Sequence, residues 1–268
     1  MNAHPTPYAD VNQMVHMLVT DIRAVLGESI TGIYLDGSLA YGDFDEASDI
    51  DFLVVTAERV SEAQFAALHD MHARLNAGPS QWATQLEGSY LSRIAVRRYD
   101  PADAYHPNIE RGSGQQLKWA QHDAGWMTHR YVLRERGIVI DGPPARTLID
   151  PVSPDDLRSA MRGVLGGWGT QLLAEPVWLN SAGYQPYAVL SLCRILYTLH
   201  RGTIASKQAA AQWAKPVLGQ PWEGLIERAW LARQRPGTAP MPEDVKMTQD
   251  LIRLVIKRSR GESRPVTA

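Results

Sequence analysis

The sequence predicts an α+β chain built in two parts, an α/β first half and an all-helical second half. Three observations carry that expectation. Runs rich in β-branched and aromatic residues, "ITGIYL" (30–35) and "DFLVV" (51–55), read as strands and lie in the first half. From Ser153 onward the apolar spacing is helical throughout, over 154–168, 186–201, 206–215, 222–233 and 242–259. The two clearest strands are joined by "DGSLAYGDFDEASD" (36–49), a segment too rich in Gly, Ser and Asp for an ordinary connection.

Taken in order, residues 9–27 form an amphipathic helix, because Val11, Met14, Val15, Leu18, Ile22 and Leu26 recur near helical spacing. After the two strands, Ser61 is an N-cap for a helix over 61–76, and Gly78-Pro79 stops it. "TQLEGSYLS" (84–92) alternates as a third strand and is followed by "IAVRRY" (94–99). Residues 100–118, with several Gly and Pro, read as a long loop or lid. Helical character resumes over 123–136 and stops at Gly137, and "IVIDGPP" reads as a short strand and a turn. Ser153-Pro154, with Asp155 and Asp156, combines an N-cap, a first-turn Pro and acids against the helix dipole. These signals divide the chain into residues 1–150, a helical domain over 151–260 and a flexible tail over 261–268.

Composition narrows the classes. The 268 residues carry 44% apolar and 21% charged side chains, an ordinary balance for a soluble globular protein. No apolar stretch approaches the roughly 20 residues that span a bilayer. The N-terminus lacks the basic and apolar regions of a secretory signal, and Cys193 is alone, so no intramolecular disulfide can form. A cytoplasmic monomer without a membrane partner is the expectation. The net charge of −2 argues against tracking a long nucleic acid, which calls for a basic surface. The basic run "KRSRGESR" (257–264) reads as a solvated tail.

The chemistry is concentrated at 37–51. Alternate residues of a strand share a face, so Asp49 and Asp51 would hold their carboxylates side by side. Such a pair repels unless a cation lies between, and Mg²⁺ is held by one or two carboxylates plus substrate phosphates. Gly37 permits close approach of a backbone, and the Ser38 hydroxyl can donate to a phosphate oxygen. A hairpin whose acids merely face water is the plain alternative. An isolated Asp-x-Asp would favour it, but Gly-Ser after one apolar strand and Asp-x-Asp opening the next favour a nucleotide site.

"GSLAYGDFDEASDIDFLVV" resembles the Gly-Ser…Asp-x-Asp signature of the polymerase-β-like nucleotidyltransferases. "LIDPVSPDDLRSAMRGVLGGW" (148–168) and "CRILYTLHRGTIASKQAAAQWA" (193–214) are similar to the helical domain of the aminoglycoside adenylyltransferases that modify streptomycin and spectinomycin. The resemblance implies a mixed sheet with helices followed by a helical bundle, which completes the nucleotide and acceptor sites. It implies transfer of AMP from ATP to an antibiotic hydroxyl, with two Mg²⁺ ions held by Asp49, Asp51 and Glu87. Glu87 would also be the general base, a role that suits a poorly nucleophilic hydroxyl. Arg194 and Lys207 would contact the triphosphate, with Ser48 assisting metal or phosphate or else shaping the turn.

On the acceptor side the resemblance assigns Trp168, Glu175 and Tyr184, and here the sequence departs from the family pattern. "GTQLLAEPVWLNSAGYQPY" (169–187) is longer than the family's acidic loop, has Glu175 as its one acid, and places Tyr184 where a carboxylate is expected. Two other readings stay open: the same fold acting on a protein side chain in a toxin–antitoxin pair, or a non-enzymatic nucleotide-binding regulator. His69 and His72 read as solvated or packed rather than metal ligands, and Trp119 and Trp126 as core or pocket lining.

Overall fold

The computed structural model describes residues 4–235, 237 and 239–261; the expected tail, from residue 262 onward, lies outside them. The chain forms two compact units, Met1–Val152 and Ser153–Ala268.

The first unit is a six-stranded sheet in the order β5-β4-β3-β2-β1-β6. Its strands are β1 (Ile30–Leu35), β2 (Ile50–Thr56), β3 (Leu86–Ser92), β4 (Tyr105–Ile109), β5 (Lys118–Gln121) and β6 (Ile138–Asp141). Only β2 and β3 run parallel; the other neighbours are antiparallel. A parallel pair needs a crossover, which here contains α3 (Glu62–Asn76). That helix starts in a capping box: Ser61 Oγ accepts from the Gln64 amide, and the Gln64 side chain accepts from the Ser61 amide. The stripe of α1 (Ala9–Leu26), from Val11 to Leu26, packs in one core with Leu68 and Met71 of α3 and with Ile50, Phe52 and Val54 of β2. His72 belongs to this core. It is 1% exposed, hydrogen-bonded to the Tyr90 hydroxyl at 2.8 Å, and burial holds its pKa down to about 3.

The opposite sheet face alternates in the complementary positions. Tyr34, Leu53, Val55 and Leu91 pack with Ala95 and Val96 of α4 (Arg93–Arg97) and Leu133 of α5 (Met127–Arg136). Residues 93–97 form a short helix, capped where Ser92 Oγ accepts from the Ala95 amide. One expectation fails on this side. The 100–118 segment is not a simple loop, since β4 and the start of β5 fall within it. Pro107 masked β4, yet it costs no sheet hydrogen bond to β3, because that pairing involves only Asn108 and Ile109.

The second unit contains α6 (Pro154–Val164), α7 (Thr170–Ala174), α8 (Tyr184–Arg201), α9 (Lys207–Leu218), α10 (Trp222–Gln234) and α11 (Pro242–Ser259). The helix expected over 154–168 leaves α geometry after Val164 and passes through a π turn at Leu165–Gly169. Helix α8 is central and packs against α6, α9, α10 and α11 through residues that include Ala188, Val189, Leu192, Cys193 and Leu196. Arg228 grips Asp244 with two nitrogens, at 3.0 and 2.6 Å, and ties α10 to α11. No helix among the described residues is long and apolar enough to cross a membrane.

Loss of the α3 cap should weaken the only parallel connection. Ser61→Ala is expected to lower stability by ~1 kcal/mol, read as a shift in the urea midpoint at unchanged m-value.

Candidate active site

The parallel register of β2 and β3 places Asp51 directly beside Glu87. Paired residues of neighbouring strands share a face, so both carboxylates stand on the face that carries Leu53, Val55 and Leu91 further along. Between β1 and β2 the chain turns at Gly37, where α2 (Gly37–Tyr41) begins. Gly37 has φ +57°, and a Cβ there would overlap the Asp51 carboxylate, so only glycine fits both the backbone and the space. The Asp36 amide donates to the Asp51 carbonyl at 3.0 Å and holds the turn against the strand. The Ser38 hydroxyl is buried and has no hydrogen-bond partner.

These groups suit a hard cation: two adjacent carboxylates, a backbone pressed against one of them and an unsatisfied hydroxyl. Among the described residues, no three His, Cys, Asp or Glu side chains gather closely enough to hold a metal. Asp49 lies just before β2 rather than on it, and its Oδ2 is 3.4 Å from an Arg111 guanidinium nitrogen. Ser48 is engaged in its own turn, donating to Asp45 Oδ1 at 2.8 Å and accepting from the Asp45 amide at 3.0 Å.

A cavity of about 280 Å³ opens over the carboxylates, lined by Asp36, Asp51, Glu87, His122, Trp126 and His129 among others. Trp126, His129 and Leu133 reach it from the start of α5, at spacing that puts them on one helical face. Asp36 Oδ2 lies 3.4 Å from His129 Nδ1. His122 Nε2 is 3.3 Å from Ser89 Oγ, which also accepts from Asn108 Nδ2 at 2.9 Å. The rings of His122 and Trp126 stack at 4.3 Å, and that of His106 lies 5.1 Å from His122. Sequence reasoning placed Trp126 but missed Asp36, His122 and His129. The available signals were an acid ending an apolar strand and a Trp–His pair three residues apart at a helix start.

The expected site residues of the second unit form their own group. Trp168 Nε1 donates to the Tyr184 hydroxyl at 2.8 Å, and Tyr184 lies near Tyr187 and Trp178, with centroids 5.6 and 6.2 Å away. Lys207 Nζ sits 5.8 Å from the Tyr187 ring centre. Arg194 Nε donates to the Ala205 carbonyl at 3.1 Å, tying α8 to the turn before α9. Glu175 is exposed in the segment between α7 and α8.

Comparison with known proteins finds two family matches along the chain. Residues 19–110 match the nucleotidyltransferase domain family, and residues 147–258 match the C-terminal domain of aminoglycoside adenylyltransferases. An aminoglycoside (3'')(9) adenylyltransferase of Shigella flexneri is 28% identical over 82% of this chain and 84% of its own. A spectinomycin 9-adenylyltransferase of Staphylococcus aureus is 25% identical over 81% of this chain and 83% of its own. A crystal structure of the Enterococcus faecialis spectinomycin adenyltransferase AAD(9), with ATP and spectinomycin, shares the fold. Its TM-score is 0.67 at 18% identity, over 92% of this chain and 98% of that one.

The buried imidazoles around the cavity make stability depend on pH. Burial, the largest cause in each case, lowers the pKa of His106 to about 4 and of His122 to about 3. Unfolded histidines titrate near pH ~6.5, so below that the unfolded chain binds more protons than the folded one. Stability should be undiminished above pH ~6.5 and fall progressively toward pH ~4. Urea midpoints measured across this range test it; a constant midpoint down to pH ~4.5 would contradict neutral, buried rings.

Proposed function

We propose that the chain is an aminoglycoside adenylyltransferase that transfers AMP from ATP to a hydroxyl of a compact aminoglycoside-type antibiotic, conferring resistance. One observation carries this reading: the register that sets Asp51 beside Glu87, with Gly37 and the unpartnered Ser38 hydroxyl against them. Asp49, Asp51 and Glu87 would hold Mg²⁺, which when bound supplies charge neutralisation and orientation of the triphosphate.

Each residue then has a task that follows from its position. Ser38 donates its hydroxyl hydrogen to a phosphate oxygen. Glu87 takes the proton from the acceptor hydroxyl, whose oxygen attacks the α-phosphorus as the bond to pyrophosphate breaks. Arg194 and Lys207 serve the triphosphate as cations. Trp168 and Tyr184 present an aromatic, uncharged surface to the acceptor, since the Tyr184 phenol already accepts from the Trp168 indole.

Glu87→Gln separates binding from chemistry, because the amide keeps size and hydrogen bonding but cannot accept the proton. Turnover should fall ~10²–10⁴-fold while ATP affinity stays close to that of the unmodified protein. Parallel loss of both would assign Glu87 to structure or metal binding instead. Calorimetric ATP titration beside an AMP-transfer assay distinguishes the two.

Acceptor preference follows from the second unit. A cationic group desolvated without a paired acid is costly, and the 169–187 segment offers only Glu175. Streptomycin, with two guanidinium groups, should suffer more than the smaller spectinomycin. Expression in a sensitive host should raise resistance to spectinomycin above resistance to streptomycin. The reverse order would overturn the preference, and resistance to neither would favour a non-antibiotic acceptor.

A further inference from the structure

The cavity in the first unit holds one acid more than AMP transfer uses. Asp51 and Glu87 are committed to the transfer chemistry, and Glu110 is paired with Lys118 at 2.8 Å. Asp36 remains. Its side chain is 9% exposed, and one oxygen, Oδ2, lies 3.4 Å from His129 Nδ1. The other oxygen, Oδ1, is buried and has no hydrogen-bond partner. No Lys or Arg stands among the residues lining the cavity. A buried carboxylate oxygen left in this way is costly unless a donor arrives to meet it.

A second lining residue, His122, also carries an orphan nitrogen. His122 Nδ1 is buried without a partner, while the ring is fixed by its contact with Ser89 and by stacking on Trp126. The ring's depressed pKa keeps it neutral at ordinary pH, so it can bond a hydroxyl without adding positive charge. An acid, a neutral imidazole and an aromatic wall beside Glu87 match a polyhydroxylated ring that carries an amine. They also add negative charge to the single acid, Glu175, of the 169–187 segment.

We propose that Asp36 is a specificity-determining residue that pairs with an ammonium group of the acceptor, while His122 bonds a ring hydroxyl of the same molecule. The inference rests on the adenylyltransferase reading and locates recognition of the acceptor's positive charge within the first unit. His129 is a positioning residue here, holding Asp36 through Oδ2 and leaving Oδ1 for the ligand.

The test compares the full chain with Asp36→Asn and Asp36→Ser, using spectinomycin and a form of spectinomycin whose amines have been acetylated. Loss of a charge-assisted hydrogen bond should raise the calorimetric Kd and the KM for spectinomycin about 10- to 100-fold. The KM for ATP, the Mg²⁺ requirement and kcat at saturating acceptor should stay within about twofold. The acetylated form should bind all three proteins equally weakly. Unchanged affinity in both variants, equal loss for both ligands, or a raised Mg²⁺ requirement would overturn the proposal. So would failure of the unmodified chain to bind spectinomycin. Binding measured without ATP separates this from the transfer reading: binding that depends on Asp36, with no AMP transferred, would overturn the transfer reading alone.

Discussion

The parallel pairing of β2 with β3 is the constraint on which the rest of the site depends. In a sheet otherwise antiparallel, this pair alone runs both strands in the same direction. Asp51 and Glu87, each near the start of its strand, therefore emerge at the same end and on the same face. A one-residue slip would send one carboxylate to the face occupied by Phe52 and the α1–α3 core. Register is held against such slips by apolar residues on both faces, with Val54 on one side and Leu53 and Val55 on the other. The capping box of α3 acts on the same constraint by fixing where the crossover helix begins.

Magnitudes show why this placement is affordable. Two like charges ~4 Å apart repel by roughly 1–4 kcal/mol between bulk water and a protein-surface dielectric. Fully burying one large apolar side chain contributes about 1.5–3 kcal/mol. Tyr34, Val55 and Leu91, buried on the same face further along, thus outweigh the repulsion at its open end. The sheet face is divided accordingly: its far part is core beneath α4 and α5, and its near part remains open as a polar cavity. Helix α5 serves both parts, since Leu133 packs in the core while Trp126 and His129 border the cavity.

The sequence was legible where local chemistry and tertiary structure agree. The stripe of α1, the Ser61 cap, the strands from 30 and 51, and the helices after Ser153 all appear where periodicity and caps point. Glu87 came from the family resemblance and the fold sets it beside Asp51, whereas Gly37 was legible because a close backbone approach demands glycine. Strands β4 and β5 were not, because Pro107 breaks a propensity reading and a short edge strand such as β5 carries little alternation. Asp49 differs from the expectation for another reason: strand alternation treats it as Asp51's equal, whereas it precedes β2 and lies beside Arg111. Asp36, His122 and His129 come from three separate elements, so only folding reveals their proximity.

Charge is distributed differently from what the second half of the sequence suggests. An aminoglycoside acceptor calls for acids, and the stretch from Trp168 into the first turn of α8 is instead aromatic, with Trp168, Trp178, Tyr184 and Tyr187 close to one another. Lys207 lies beside them, with Nζ 5.8 Å from the centre of the Tyr187 ring. An aromatic face of this kind attracts rings and weakly hydrated cations but does little to select among strongly charged ones. The cavity of the first unit is lined instead by Asp36, Asp51, Glu87 and Glu110, and Asp36 keeps one oxygen unsatisfied. Charged and aromatic side chains are thus concentrated in different units, the first around Asp36 and the second around Tyr184.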